Sequence, residues 1–332
     1  MSEPSSSRNQ NPESAGLSTS DAGDWDRFRK NRRRKLILPL FLFFATIGST
    51  FWVGITTWDP TGPFGDWFTT GNSEVFFAQV RELTVRNWSQ GLIYAACVLA
   101  ILLVHELGHF IATIIYRIPA TAPIFLPFPF NPIGTLGAII AMQSMVANRK
   151  QIFDIGIAGP LAGLVVALPI AFIGIAQLDL TVPGRGSLGF ECPLLFRWMI
   201  GWMGVEGYVP GQAIWLNQLN PYFAAAWVGF LITGLNMFPV GQLDGGHVTY
   251  TLFGKYSYYV ADGAMVLWIA FMIYFQSGIL ILMVILLIIF GTHHPPTAND
   301  KIKLGWFRMT LGILSLSIPV LCFPPKVFSF SF

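Results

Sequence analysis

The sequence predicts an all-α polytopic membrane protein with six or seven transmembrane spans and a short membrane-associated β-hairpin segment. Three observations carry this. The composition is 53% hydrophobic and only 11% charged, with a mean hydropathy of +0.57, against roughly 25% charged residues in a soluble domain. Apolar runs long enough to cross the ~30 Å hydrocarbon layer recur along the chain. Between two of them lies PATAPIFLPFPFNPIGTLGAIIAMQSMVANRK, which is apolar but broken by prolines that a helix interior does not accept.

Residues 1–24 are rich in Ser, Asn, Pro and acids, with too few large apolar side chains to offset chain entropy, and read as disordered. Glu3, Glu13, Asp21, Asp24 and Asp26 argue against an organellar transit peptide, and no secretory leader opens the chain. The basic run Arg27, Arg29, Lys30, Arg32, Arg33, Arg34 and Lys35 completes a tail at 1–35. Because it abuts a first span at 36–56, it reads as an orientation signal rather than a nucleic-acid patch, which puts the N-terminus in the cytoplasm. Further spans fall near 91–116, 155–176, 222–240, 261–275, 279–290 and 306–323. The inner segments then carry Arg117, Arg149, Lys150, Lys255, Lys301 and Lys303. The external loops 57–90 and 177–221 carry only Arg81, Arg86, Arg185 and Arg197, as the positive-inside rule requires. Gln276-Ser277-Gly278 joins two short pieces as a hairpin or a single bent element, which leaves the count at six or seven. The main membrane core is 91–292, and 293–332 holds a cytoplasmic HHPP segment and the last span. The setting is a bacterial cell membrane, with an organellar membrane as the other choice.

Cys97, Cys192 and Cys322 lie far apart without a CxxC, so they suggest neither a disulfide framework nor a cysteine metal site. Asn87-Trp88-Ser89 reads as a glycosylation sequon in an external loop. Asp154 and Asp262 read as helix-start residues.

The span at 91–116 contains VHELGHF. An ionisable group at a helix centre in lipid costs roughly 2.5–3.5 kcal/mol, so it needs a partner or a use. His105 and His109 are four residues apart and share one helix face. Two imidazoles at that spacing can hold one zinc ion, with Glu106 beside them to take a proton from water: the HExxH pattern. The plainer reading is a pair of polar helix–helix contacts. A catalytic zinc needs a third protein ligand and one open position. His293 and His294, in THHPPTANDK, read as loop residues. GLNMFPVGQLDGGHV, residues 234–248, closes a span and carries Asn236, Pro239, Asp244, Gly245, Gly246 and His247. Its proline and glycines break the helix and let a carboxylate approach a metal. Gly156, Gly159, Pro160 and Gly163 would allow close backbone approach or a loosened helix in the third span, with plain small-residue packing as the alternative.

HELGH in one span, with Asn236-x-x-Pro239-x-x-x-Leu243-Asp244-Gly245 at the end of a later one, resembles the site-2 protease family of intramembrane zinc metalloproteases. IAGPLAG, 157–163, is similar to that family's glycine-rich motif, and GTLGAI to its β-hairpin region. The likeness covers roughly residues 91–300, and loop 177–221 leaves no room for the PDZ domain that some members insert. The resemblance implies one Zn2+ per chain held by His105, His109 and Asp244. It implies that Glu106 is the general base and then the acid toward the leaving amine. Asn236 would contact the substrate carbonyl or oxyanion. His247 is a structural neighbour of the site, and Pro239, Gly159 and Gly163 shape or gate it. Gly134, Thr135 and Gly137 are a candidate edge for holding an extended substrate by strand addition. The implied activity is hydrolysis of peptide bonds within or near transmembrane segments, so the partners are transmembrane protein substrates and the lipid bilayer, with no nucleic acid. The competing readings are a metal-binding membrane transporter, which has no need of Glu106, and a catalytically inactive relative. A prenyl-protein protease would instead supply a glutamate as the later ligand. In the span scheme both HELGH and LDG fall in the cytoplasmic half, at compatible depth.

Overall fold

The computed structural model describes residues 19–142, 144–275, 291, 294–324 and 326–330. The expected span 279–290 and His293 lie outside these residues. Among the described residues four helices are long and apolar enough to cross a membrane: Ile37–Ile55, Ser73–Tyr116, Arg149–Ala176 and Asp244–Phe275. Leu194–Met203 and Trp306–Cys322 are shorter apolar helical stretches. The chain is therefore mostly helical and built for a membrane, but six or seven spans are not reached among these residues.

Helix α1 (Thr19–Ile55) begins inside the tail expected to be disordered and runs without a break through the basic run into the first span. Two further helices follow, α2 (Gly62–Thr70) and α3 (Ser73–Tyr116). The expected external loop 57–90 is thus largely helical. The side chain of Asn72 accepts the N–H groups of Glu74 and Val75 to start α3, and no proline interrupts it before Tyr116. The sequon is corrected as well. Asn87 is buried on α3, and its amide donates to the Ile55 carbonyl at 2.8 Å, closing the end of α1.

The expected hairpin is present: β1 (Ile124–Phe128) pairs antiparallel with β2 (Gly134–Ile139). The register shifts between Phe125 and Pro127, where proline has no N–H to offer the ladder. The hairpin is held on the helices at its turn, since Ser49 of α1 donates to the Gly134 carbonyl and Tyr94 of α3 to that of Ile133.

Helix α4 (Arg149–Ala176) starts with a capping box of Asn148 and Gln151. Asp154 is therefore not its cap. Its carboxylate accepts two N–H groups of Arg308, each at 2.8 Å, and the hydroxyl of Tyr116. Asp262 likewise lies beyond the first turn of its helix. After α4 come β3 (Leu188–Phe190), α5 (Leu194–Met203), β4 (Ile214–Trp215), α6 (Pro221–Asn236), α7 (Asp244–Phe253) and α8 (Ser257–Phe275). The chain then gives α9 (Trp306–Ser315), α10 (Ile318–Cys322) and β5 (Phe328–Phe330). An unexpected second sheet places β3 between β4 and β5. Phe190 and Phe328 of this sheet pack edge to face or tilted on each other and on Trp227 of α6, and Phe196, Phe223 and Phe230 form a second edge-to-face group. Although α6 is too short for the ~20 residues of an untilted crossing, most of its residues from Phe223 to Gly234 are buried among other helices. All three cysteines are free.

Candidate metal centre

The site is built where α3 crosses α4. The two backbones approach so closely that a Cβ on Gly108 would meet the Ala158 carbonyl oxygen at 2.6 Å. His105 and His109 project from this crossing and are 2% and 8% exposed. The stripe of glycines on α4 makes room for them. A Cβ on Gly159 would lie 2.1 Å from His109 Nε2, and one on Gly163 would lie 3.1 Å from His105 Nδ1. Both therefore shape the space around the imidazoles, whereas Gly156 makes room for His247, on which its Cβ would press.

The third donor arrives from the break between α6 and α7. Phe238 N–H bonds back to the Leu235 carbonyl, Val240 N–H to that of Phe238, and Gly241 takes φ 58°. A Cβ on Gly245 would come within 2.0 Å of the Met237 carbonyl oxygen, and one on Gly246 within 2.3 Å of that of Gly241. Only glycine lets α7 fold back so tightly on the turn that contains Pro239. Asp244 then stands in the first turn of α7, where the helix dipole favours a negative charge.

The arrangement converges. Asp244 Oδ2 is 3.2 Å from His105 Nε2, Oδ1 is 3.2 Å from His109 Nε2, and the two Nε2 atoms are 3.2 Å apart. All three donors lie within 4.8 Å of one another, a group that could hold a metal ion. His109 Nδ1–H donates to the Ile155 carbonyl at 2.7 Å, which leaves the Nε2 lone pair aimed into the cluster. Two imidazole lone pairs and a carboxylate in such proximity call for a cation between them. Four ligands tetrahedrally placed ~2.0–2.1 Å from zinc lie about 3.3 Å apart, close to the spacings found, and two His with one carboxylate is a catalytic zinc donor set. Glu106, 4% exposed, interacts electrostatically with His105, His109 and Asp244. Asn236, the last residue of α6, places Nδ2 3.2 Å from His105 Nε2, on the rim of the cluster.

The model of peptidase family M50 matches residues 93–275, more than half of the chain. The chain belongs to peptidase family M50. The expected kinship with site-2 proteases therefore holds. Among curated relatives, the chain is 31% identical over 305 residues to "Probable zinc metalloprotease EGY1, chloroplastic" of Arabidopsis thaliana, covering 87% of this chain and 53% of that protein. It is 33% identical over 226 residues to the protein of the same name from Oryza sativa subsp. japonica, covering 66% of this chain and 38% of that one. With "Probable zinc metalloprotease EGY2, chloroplastic" of Arabidopsis thaliana the figures are 29% over 245 residues, 73% and 43%. The chain thus spans about half, or less, of the length of these relatives. No solved structure matches.

Other expected site residues of this M50 chain fall at varied distances from the donors. His247 is not among them; its Nδ1 lies 2.6 Å from Nε2 of His294. His294, expected as a plain loop residue, therefore packs on α7. Gly134 and Thr135 do not offer a free edge. Asn131 and Ser49 bond the main chain of Gly134, and the buried Thr135 hydroxyl donates to the Leu126 carbonyl at 2.9 Å and accepts the Gly137 N–H at 3.0 Å. Gly137 faces α6, where a Cβ would meet Ile232 at 3.8 Å. Among the described residues no strand pairs with the far side of β2, and its exposed residues are Leu136 and Ile139, with Gly137 between them buried. Two participants went unseen in the sequence. The Ile155 carbonyl is main chain and carries no residue-type signal, and nothing in the sequence indicates which histidine His294 meets.

Proposed function

We propose that this chain is an intramembrane zinc endopeptidase that hydrolyses peptide bonds within or near transmembrane segments of membrane proteins. The observation that carries the reading is the convergence of His105, His109 and Asp244, from α3 and α7, with Glu106 buried beside them. His105, His109 and Asp244 would hold one zinc ion. When bound, zinc polarises the scissile carbonyl and acidifies water enough for attack near neutral pH. Glu106 accepts the proton of the attacking water and delivers it to the leaving amine. Asn236, on the rim of the cluster, would donate its amide N–H to the developing oxyanion. Gly159 and Gly163 keep the imidazole pocket open, and burial of the histidines and Glu106 keeps bulk water from the donors. A transmembrane substrate must unwind to expose its carbonyls, and the far edge of β2, at its exposed residues Leu136 and Ile139, is where we place the extended segment.

The basic run is our reason for putting the N-terminus on the cytoplasmic side. The plant relatives are named chloroplastic, which sets an organellar membrane beside the bacterial cell membrane as a setting for this chain.

The test pairs zinc content with cleavage. Purified wild type and Glu106→Gln are each expected to hold about one zinc per chain. The variant is expected to cleave a panel of single-span membrane substrates at least ~100-fold more slowly. Loss of zinc from both proteins would remove the assignment, and equal cleavage by both would remove Glu106 from the chemistry.

A further inference from the structure

The segment after α8 returns over the first turns of α7. Ala298 N–H bonds to the Ala147 carbonyl at 2.9 Å, and Tyr250 donates its hydroxyl to Asp300 at 2.8 Å. Its innermost side chain is His294, stacked on the Tyr250 ring with centroids 4.5 Å apart and planes 21° from parallel. The polar atoms of His294 form a directed chain. Its Nδ1 meets the Pro295 carbonyl, which can only accept, so Nδ1 carries the proton. In the neutral ring Nε2 is then an acceptor, and the 2.6 Å contact is a bond donated by Nδ1–H of His247.

His247 stands three residues after Asp244 in the first turn of α7, with its N–H bonded to the Leu243 carbonyl at 2.9 Å. On its other side that turn rests on Gly156 of α4, where a Cβ would be 2.8 Å from His247 Cβ and 3.4 Å from the Asp244 carbonyl oxygen. The first turn of α7 is therefore gripped between α4 and His294. Any roll of this turn carries the Asp244 carboxylate with it, and metal ligation tolerates displacements of only about 0.2 Å.

We propose that His294 is a positioning residue for the metal centre: by accepting the Nδ1–H of His247 it fixes the roll of α7 and hence the place of Asp244 among the donors. His294 touches neither donors nor substrate; it acts through His247. The proposal rests on the zinc reading above. It makes the segment that begins at His294, well after Asp244 in sequence, part of the site's support.

The experiment compares three full-length proteins, wild type, His294→Leu and His294→Gln. Leu fills part of the ring's space without an acceptor, whereas the Gln side-chain oxygen can stand near the place of Nε2. Zinc retention is titrated with a competing chelator, and thermal unfolding of each metal-free protein is followed in parallel. His294→Leu is expected to weaken zinc binding about 10–100-fold, the usual effect of removing a group that orients a ligand, with the melting temperature of the metal-free protein unchanged. His294→Gln is expected to recover most of the affinity. Wild-type zinc affinity in His294→Leu overturns the proposal, as does a Gln variant no better than Leu. A lower metal-free melting temperature for His294→Leu overturns it too, because the segment is then a fold element only. A wild type that holds no zinc overturns the zinc reading itself, an outcome distinct from a wild type that binds while the variants match it.

Discussion

At Gly159 a single methyl group separates a competent site from a blocked one. Its Cβ would fall 2.1 Å from His109 Nε2, in the space where the lone pair must reach a metal, whereas at Gly163 the neighbour is His105 Nδ1 at 3.1 Å. Gly159→Ala is therefore expected to abolish measurable zinc binding. Gly163→Ala is expected to weaken it by about tenfold or less, because that ring need move only a few tenths of an ångström. Metal content of the two purified variants checks the ranking; equal loss would contradict it. The sequence made much of this legible. Histidines four apart announce a shared helix face directly, and the glycine stripe was visible at helical spacing. Its meaning was not, since plain helix packing and room for imidazoles require the same residues. Asp244 was assigned through family likeness, because the fold-back that delivers it depends on carbonyls of Met237 and Gly241 that no residue pattern announces.

At the scale of elements, the α6–α7 break and the α9 clamp hold the helices in register around the site. Arg308 of α9 gives two 2.8 Å bonds to Asp154 of α4, and Tyr116 of α3 adds its hydroxyl, so one carboxylate joins three helices. The pair is partly exposed, with side chains at 32% and 23%, so solvent weakens it relative to a fully buried one. Arg308→Gln and Asp154→Asn are each expected to destabilise the protein by about 1–2 kcal/mol. The double variant should fall short of their sum, because they share one interaction. Thermal unfolding in detergent measures this, and strict additivity would dissolve the clamp. The elements the sequence hid were of two kinds. Residues 73–90 looked like a loop because they lack the apolar density of a span, yet without proline they continue the helix that follows. Strands of two or three residues, such as Ile214–Trp215 and Leu188–Phe190, are too short to show any alternation and form only because distant segments meet.

At the scale of the whole molecule, these elements set sidedness. Helix α4 has 28 residues, about 42 Å of helix, long enough for its two ends to stand on opposite faces of a ~30 Å hydrocarbon layer. Its first end is joined to the 294–300 segment, since Arg149 N–H bonds to the Asn299 carbonyl. Its last end opens into the 177–221 segment, and β5 pairs with β3 inside that segment. The C-terminal strand therefore belongs to the face of Glu206, and Lys301 to the other. This follows whichever face is cytoplasmic, and it can be read with cysteines placed at Glu206 and Lys301 and an epitope after Phe332. The native thiols give little background: Cys192 and Cys322 are buried, Cys97 is half-buried, and burial pushes the Cys192 thiol up to about 12. In sealed vesicles of one orientation, a membrane-impermeant maleimide is expected to label one introduced cysteine from outside and the other only after permeabilisation, with the epitope accessible alongside Glu206→Cys. Labelling of both cysteines from one side would mean that α4 does not cross. An epitope that follows Lys301→Cys would mean that β5 leaves β3 in the membrane.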